Sequence, residues 1–130
     1  MNISDQLPPP INSYELDVPA STYYDFELPE GSDYPLAGVT YPVDYGNMPG
    51  YTAEDGHELD LFVGNQIDGL MGSVIVFRGH TSPDERKFYV ALDQKQLEEI
   101  LNQLQPVLRS HEPISNIESL LMAIELYKDK

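Results

Sequence analysis

An α+β fold, mainly β, is what the chain predicts: five short strands closing into a small antiparallel barrel, with C-terminal helices packed outside it. Three observations lead there. Up to residue 92, aromatic and β-branched residues alternate or cluster in short runs separated by turn residues. Beyond residue 93 the apolar period lengthens to that of a helix. A length of 130 residues leaves room for one domain with a modest core.

Residues 1–20 hold few apolar runs and include Pro8, Pro9, Pro10 and Pro19, so they read as an extended arm ahead of a domain spanning 21–130. Tyr23-Tyr-Asp-Phe-Glu-Leu28 alternates and stops at Pro29-Glu-Gly31, which predicts a strand and a turn. Val39-Thr-Tyr41 is a short second strand. Gly46-Asn47 and Pro49-Gly50 are turn signals. Leu59-Asp-Leu-Phe-Val63 is a third strand, Met71-Gly-Ser-Val-Ile-Val-Phe77 a fourth and Lys87-Phe-Tyr-Val-Ala-Leu92 a fifth. Thr81-Ser-Pro-Asp84 supplies a hairpin turn between the last two.

Leu97, Ile100, Leu101 and Leu104 then fall at i, i+3, i+4 and i+7, with Asp93 as N-cap and Pro106 ending the helix. Ser115-Asn-Ile-Glu118 has the form of a capping box opening a second helix with Leu120, Leu121, Ile124 and Leu126 apolar. No internal repeat is visible.

The charge balance narrows the partners. Twenty-two acidic residues face seven basic ones, a net charge of −15. Nucleic acid and anionic membranes both demand a basic face and are excluded as expectations; metal cations or a basic partner fit better, although many proteins are acidic for solubility alone. Every Lys and Arg lies at or after Arg78, so positive charge for any anion site comes from the C-terminal half or from a metal. Without Cys, neither a disulfide framework nor a thiolate site is available. No run is long enough to span a membrane and the N-terminus lacks signal-peptide regions, so a cytoplasmic location is expected.

The chemistry concentrates between residues 41 and 60. Asp60 interrupts a buried strand at its start, where a carboxylate costs free energy unless it is paired or ligates a metal. Asp55 precedes it by five residues on a turn, so two acidic oxygens could converge on one point, as hard divalent cations require. Tyr41-Pro-Val-Asp-Tyr45-Gly, a Pro-containing loop, and Asp55-Gly-His-Glu-Leu-Asp60 together resemble, without a gap, the Tyr-Pro-x-x-Tyr-Gly … Asp-Gly-Asp-Pro-x-Asp pattern of the Mg-dependent, single-domain soluble inorganic pyrophosphatases. That resemblance implies an OB-like five-stranded barrel with its site in the barrel mouth.

Three weaker matches extend it. Phe26-Glu27-Leu28-Pro29 is similar to the family's Val-Glu-Ile-Pro strand, whose Glu lies near the metals; by itself Glu27 reads as a solvent-facing residue. Residues 85–91 resemble the family's Asp-x-Lys-x-x-x-Val, in which the Asp binds metal and the Lys reaches phosphate. Here Glu85 fills the acidic slot and Lys87 the basic one. Otherwise the 84–87 run reads as a charged hairpin tip. Tyr127-Lys128-Asp129 resembles the Tyr-Lys-Asp after the family's last helix, where Tyr and Lys hold phosphate oxygens; a lone Lys at a helix C-terminus is also explained by the helix dipole.

The departures carry equal weight. Only eleven residues separate Pro29 from Tyr41, where the family inserts a hairpin bearing a Lys, a Glu and an Arg. Arg78 could substitute if its strand faces the mouth. His57 stands where the family has the Asp that prepares the attacking water, and His80 where it has another metal-binding Asp. Two readings stay open for this pair: a decayed site, or one retuned towards Mn²⁺ or Zn²⁺, which imidazole suits better than Mg²⁺. As a base, His57 would work near neutral pH.

The resemblance therefore implies weakened, metal-dependent hydrolysis of a phosphoanhydride, pyrophosphate or a related small phosphate compound. Asp55, His57, Asp60 and Tyr45 would be catalytic. Asp55, Asp60, Glu85, His80 and Glu27 would hold Mg²⁺, or Mn²⁺ or Zn²⁺. Lys87, Tyr127, Lys128 and Tyr45 would bind phosphate. The alternative is a catalytically decayed domain kept for binding metal, phosphate or a protein partner. Homo-oligomers are frequent in the family and are possible here.

Overall fold

The computed structural model describes residues 3–130. Eight strands form two sheets. A six-stranded sheet has the order β1 (Glu15–Val18), β4 (Asp44–Thr52), β5 (Glu58–Val63), β7 (Glu85–Leu92), β6 (Leu70–Val76) and β8 (Leu108–Ile114). A separate pair joins β2 (Tyr23–Asp25) to β3 (Gly38–Thr40). Two α-helices, α1 (Gln94–Leu104) and α2 (Ile117–Glu125), and two short 3-10 helices, Ile3–Gln6 and Ile11–Ser13, complete the described residues.

The expected five-stranded barrel is corrected on two counts. The main sheet has six strands, and it stays open, with β1 and β8 as its edges. Nor is it purely antiparallel: β5 and β7 run parallel, Leu61 opposite Phe88 and Val63 opposite Val90. The antiparallel β6–β7 hairpin sits between β5 and the outer strand β8.

Alternation of side chains across the sheet creates two cores. On one face, Tyr45, Phe62, Val74, Val76 and Tyr89 pack with Val39, Tyr41 and the buried Leu97, Ile100 and Leu104 of α1. On the other, Met48, Leu59, Leu61, Phe88 and Val90 pack with Leu120 and Ile124 of α2 and with Leu7 and Ile11. Leu59, Leu61, Phe62, Phe88, Ile100 and Leu120 are each 0% exposed. Burying a side chain of this kind fully stabilises the fold by roughly 1.5–3 kcal/mol.

The N-terminal segment is more integrated than an extended arm. Ile11 is fully buried and residues 15–18 form an edge strand against β4. Met1 and Asn2 of that expected arm lie outside the described residues. The helix starts follow local capping chemistry. Asp93 accepts from Gln96 N at 2.7 Å while the Gln96 side chain accepts from Asp93 N at 2.9 Å, a reciprocal capping box. In α2 the cap is Asn116, whose Oδ1 accepts from Ser119 N at 2.8 Å, one residue later than the expected Ser115. Leu126 falls just past α2 and is 85% exposed, so it leaves the apolar face assigned to it.

Candidate functional site

The sheet register brings charged residues together inside a hydrophobic layer. Leu61 pairs with Phe88 across the parallel β5–β7 pair, which sets Asp60 beside Lys87. Tyr45 lies on β4, whose neighbour is β5, and Glu85 lies on β7 two residues before Lys87, on the same face. These four side chains line a cavity of about 670 Å³ that also receives Asp55, His57, Arg78, His80 and Glu27. Aromatic side chains line it as well, Tyr24, Phe26, Tyr34, Tyr41 and Phe77, with the Tyr41 ring centroid 5.3 Å from that of Tyr45. Tyr34 OH donates to the Phe77 carbonyl at 3.1 Å and ties the 26–37 loop over the end of β6.

Lys87 is the centre of the arrangement. Its side chain is 5% exposed, and its ammonium donates to Tyr45 OH at 2.6 Å and to Asp60 Oδ2 at 2.6 Å. Tyr45 OH in turn donates to the same Asp60 oxygen at 2.6 Å. Glu85 Oε2 lies 3.1 Å from Lys87 Nζ and 3.5 Å from Arg78 Nε. Those are ion-pair distances, but the geometry gives that oxygen no aligned hydrogen bond. Its charge is therefore compensated while its lone pairs are not.

Burial alone would lower the Lys87 pKa, yet the Asp60 and Glu85 carboxylates outweigh it and hold the ammonium above its ordinary value. Burial raises Glu85 to about 7, with Lys87 opposing the rise and Asp60 adding to it. Burial, then the Asp60 charge, push the Tyr45 phenol well above its ordinary value, so it stays a proton donor. The network thus holds an ammonium at Lys87, a neutral phenol at Tyr45 and a Glu85 carboxyl with its pKa raised to about 7.

Carboxyl groups dominate the cavity. Among the described residues its walls carry Asp17, Asp25, Glu27, Asp33, Asp55, Asp60 and Glu85 against Arg78 and Lys87. The donor chemistry suits a divalent cation, but the positions do not form a ready site: among the described residues, no group of three or more His, Asp or Glu could hold a metal ion. One cause is visible. The Lys87 ammonium fills the space where Asp60 and Glu85 converge. Asp55 uses Oδ1 to accept from His57 N at 3.0 Å, which holds the turn around Gly56, itself at φ +84°. The residues as arranged therefore do not fit the Mg²⁺, Mn²⁺ or Zn²⁺ cluster that the resemblance implies.

Sequence-derived candidates divide cleanly between the two faces. Tyr45, Asp55, His57, Asp60, His80, Glu85, Lys87 and Glu27 all line the cavity. Tyr127 and Lys128 do not. Tyr127 OH donates to Glu54 Oε2 at 2.6 Å, and its ring meets Phe88 edge-on, on the face away from Lys87. Lys128 bridges to Tyr51 and its exposed ammonium lies 3.9 Å from Glu125. The reason is α2, which packs against the far core and carries the C-terminus with it. The cavity's second cation is Arg78, at the end of β6.

Sequence reading missed Tyr41, Tyr34 and the aromatic wall as site residues. The density of aromatics between residues 23 and 45 was the available signal, and it was spent on strand assignment. No protein-family model, curated protein or solved structure matches the chain. The likeness to pyrophosphatases rests on the quoted residues alone.

Proposed function

We propose that the chain is a pyrophosphatase-like domain that acts as a binding module rather than an efficient hydrolase, its acidic cavity taking a positively charged group of a partner. One observation supports this most directly. The Lys87 ammonium donates to Tyr45 and Asp60 and forms an ion pair with Glu85, and Arg78 is drawn to the same Glu85. Lys87 is committed to these partners and Arg78 is held by Glu85 through Nε, while the surplus of carboxylates repels a bare pyrophosphate. A cationic group meets the opposite conditions, because carboxylates and aromatic rings line the same cavity.

A second reading is weakened, metal-dependent hydrolysis of a phosphoanhydride such as pyrophosphate. The observation in its favour is that Tyr45, Asp55, Asp60, Glu85 and Lys87, matched in sequence, line one cavity from three strands and a turn. His57 and His80 at the same cavity would then favour Mn²⁺ or Zn²⁺ over Mg²⁺. A cytoplasmic setting belongs to both readings; among the described residues no helix is long and apolar enough to cross a membrane.

Phosphate release from pyrophosphate, measured with Mg²⁺, Mn²⁺ and Zn²⁺ in turn, separates the two. The binding-module reading expects no turnover above that of an Asp60→Asn variant. Turnover that Asp60→Asn abolishes would establish the hydrolase instead.

A further inference from the structure

We infer that Lys87 is the resident cation of this cavity: its ammonium occupies the position between Asp60 and Glu85 that a divalent ion would take, and its removal opens a divalent-ion site. The inference deepens the binding-module reading and rests on it for the identity of the cavity.

Three features of the geometry point the same way. First, the ammonium is placed as a ligated cation is placed. It has three oxygen neighbours, Asp60 Oδ2 at 2.6 Å, Tyr45 OH at 2.6 Å and Glu85 Oε2 at 3.1 Å, and a side-chain exposure of 5%. Second, Glu85 Oε2 is buried without an aligned hydrogen bond. An ion-pair contact that fails to satisfy the acceptor is a poor substitute for a bond from a small, centred cation. Third, the position is fixed by register. Asp60 and Lys87 are neighbours on paired strands, so the lysine cannot be exchanged for solvent without leaving two acids facing each other.

Electrostatics makes the exclusion mutual. An ammonium and a divalent ion sharing the same three oxygens would lie within a few ångströms of each other, where like charges repel strongly. With the lysine shortened, Asp60 and Glu85 face an empty position with hard oxygen donors. A hard or borderline divalent ion satisfies that charge and geometry. His57 and His80, which line the same cavity, offer nitrogen donors.

The test is Mn²⁺ binding by calorimetry and by thermal shift, on wild type, Lys87→Ala, and Lys87→Ala combined with Asp60→Asn. The expected result is no Asp60-dependent binding in the wild type and a gain of roughly tenfold or more in Mn²⁺ affinity in Lys87→Ala. That gain should vanish in the double variant. If Lys87→Ala fails to fold, Lys87→Gln, which keeps a hydrogen-bond donor for Tyr45, takes its place. Folding of Lys87→Ala that requires Mn²⁺ would also support the inference. Wild-type binding of one Mn²⁺ that Asp60→Asn removes and Lys87→Ala leaves unchanged would overturn it, as would a folded Lys87 variant with no gain. Because the readout is metal binding, the inference can fail while the hydrolysis assay still finds no turnover. Turnover in the wild type would sink the binding-module reading by a separate measurement.

Discussion

A buried lysine survives in this fold because three oxygens surround it, and the asymmetry of the network decides what each member is worth. Removing Asp60 strands the Lys87 ammonium, 5% exposed, with only Tyr45 and Glu85 for company. Leaving a buried charge unpaired costs about 3–5 kcal/mol. Removing Lys87 strands less, because Asp60 keeps 20% of its side chain in water and Glu85 can take up a proton. Urea unfolding should therefore find Asp60→Ala more destabilised than Lys87→Met. The reverse order would mean that the carboxylates, not the ammonium, are the groups the fold struggles to accommodate. Glu85 gives the network a pH dependence of definite sign. Its folded pKa of about 7 exceeds its ordinary 4.5, so between these values the folded chain holds a proton that the unfolded chain has lost. The Glu85 contribution to stability is thus largest below pH 4.5, falls as pH rises to about 7, and is constant above. Unfolding free energies of wild type minus Glu85→Gln, taken at about pH 5 and about pH 8, should decrease between the two. An unchanged difference would show that Glu85 ionises normally.

At the scale of elements, local signals were legible where one residue type carries them and illegible where pairing decides. Asp93 announced α1 correctly because a capping box is local chemistry, and Asp93→Ala should lower stability by about 1 kcal/mol in thermal unfolding. No measurable change would mean that α1 is held by Leu97, Ile100 and Leu104 alone. By contrast, β4 runs straight through Gly46-Asn47 and Pro49-Gly50, which read as turns. Its backbone bonds to β1 and β5 overrule those propensities, and the register break between Met48 and Thr52 absorbs the awkward residues. The strand β8 (Leu108-Arg-Ser-His-Glu-Pro-Ile114) was invisible because it alternates weakly and contains Pro113. As an edge strand bonded only to β6, it tolerates both. The site divides along the same line. The 41–60 motif and the 85–87 pair are adjacent in the sheet, so sequence matching carried them to one cavity. Tyr127 and Lys128 depend on which face α2 covers, and no local pattern encodes that choice.

For the whole molecule, the net charge of −15 is a load that the fold carries on its surface. Compaction brings 22 acidic residues closer than they lie in the unfolded chain, with seven basic residues to offset them. Screening should relieve this: the Debye length falls from about 10 Å at 0.1 M salt to about 3 Å at 1 M. The melting temperature is expected to rise with NaCl over this range. The exposed pairs Arg109–Asp84 and Lys128–Glu125, at 3.6 and 3.9 Å, oppose the trend only weakly, since such pairs contribute little and are screened alike. The Lys87–Asp60 pair is different because Lys87 is buried and Asp60 mostly so, and salt screens such a pair much less. The destabilisation by Asp60→Ala should accordingly persist at high NaCl while the wild type and variant both gain in absolute stability. A melting temperature that falls with salt would show that surface ion pairs outweigh the repulsion. A penalty for Asp60→Ala that disappears in salt would show that water reaches the Lys87 ammonium, and would remove the basis for treating it as the cavity's own cation.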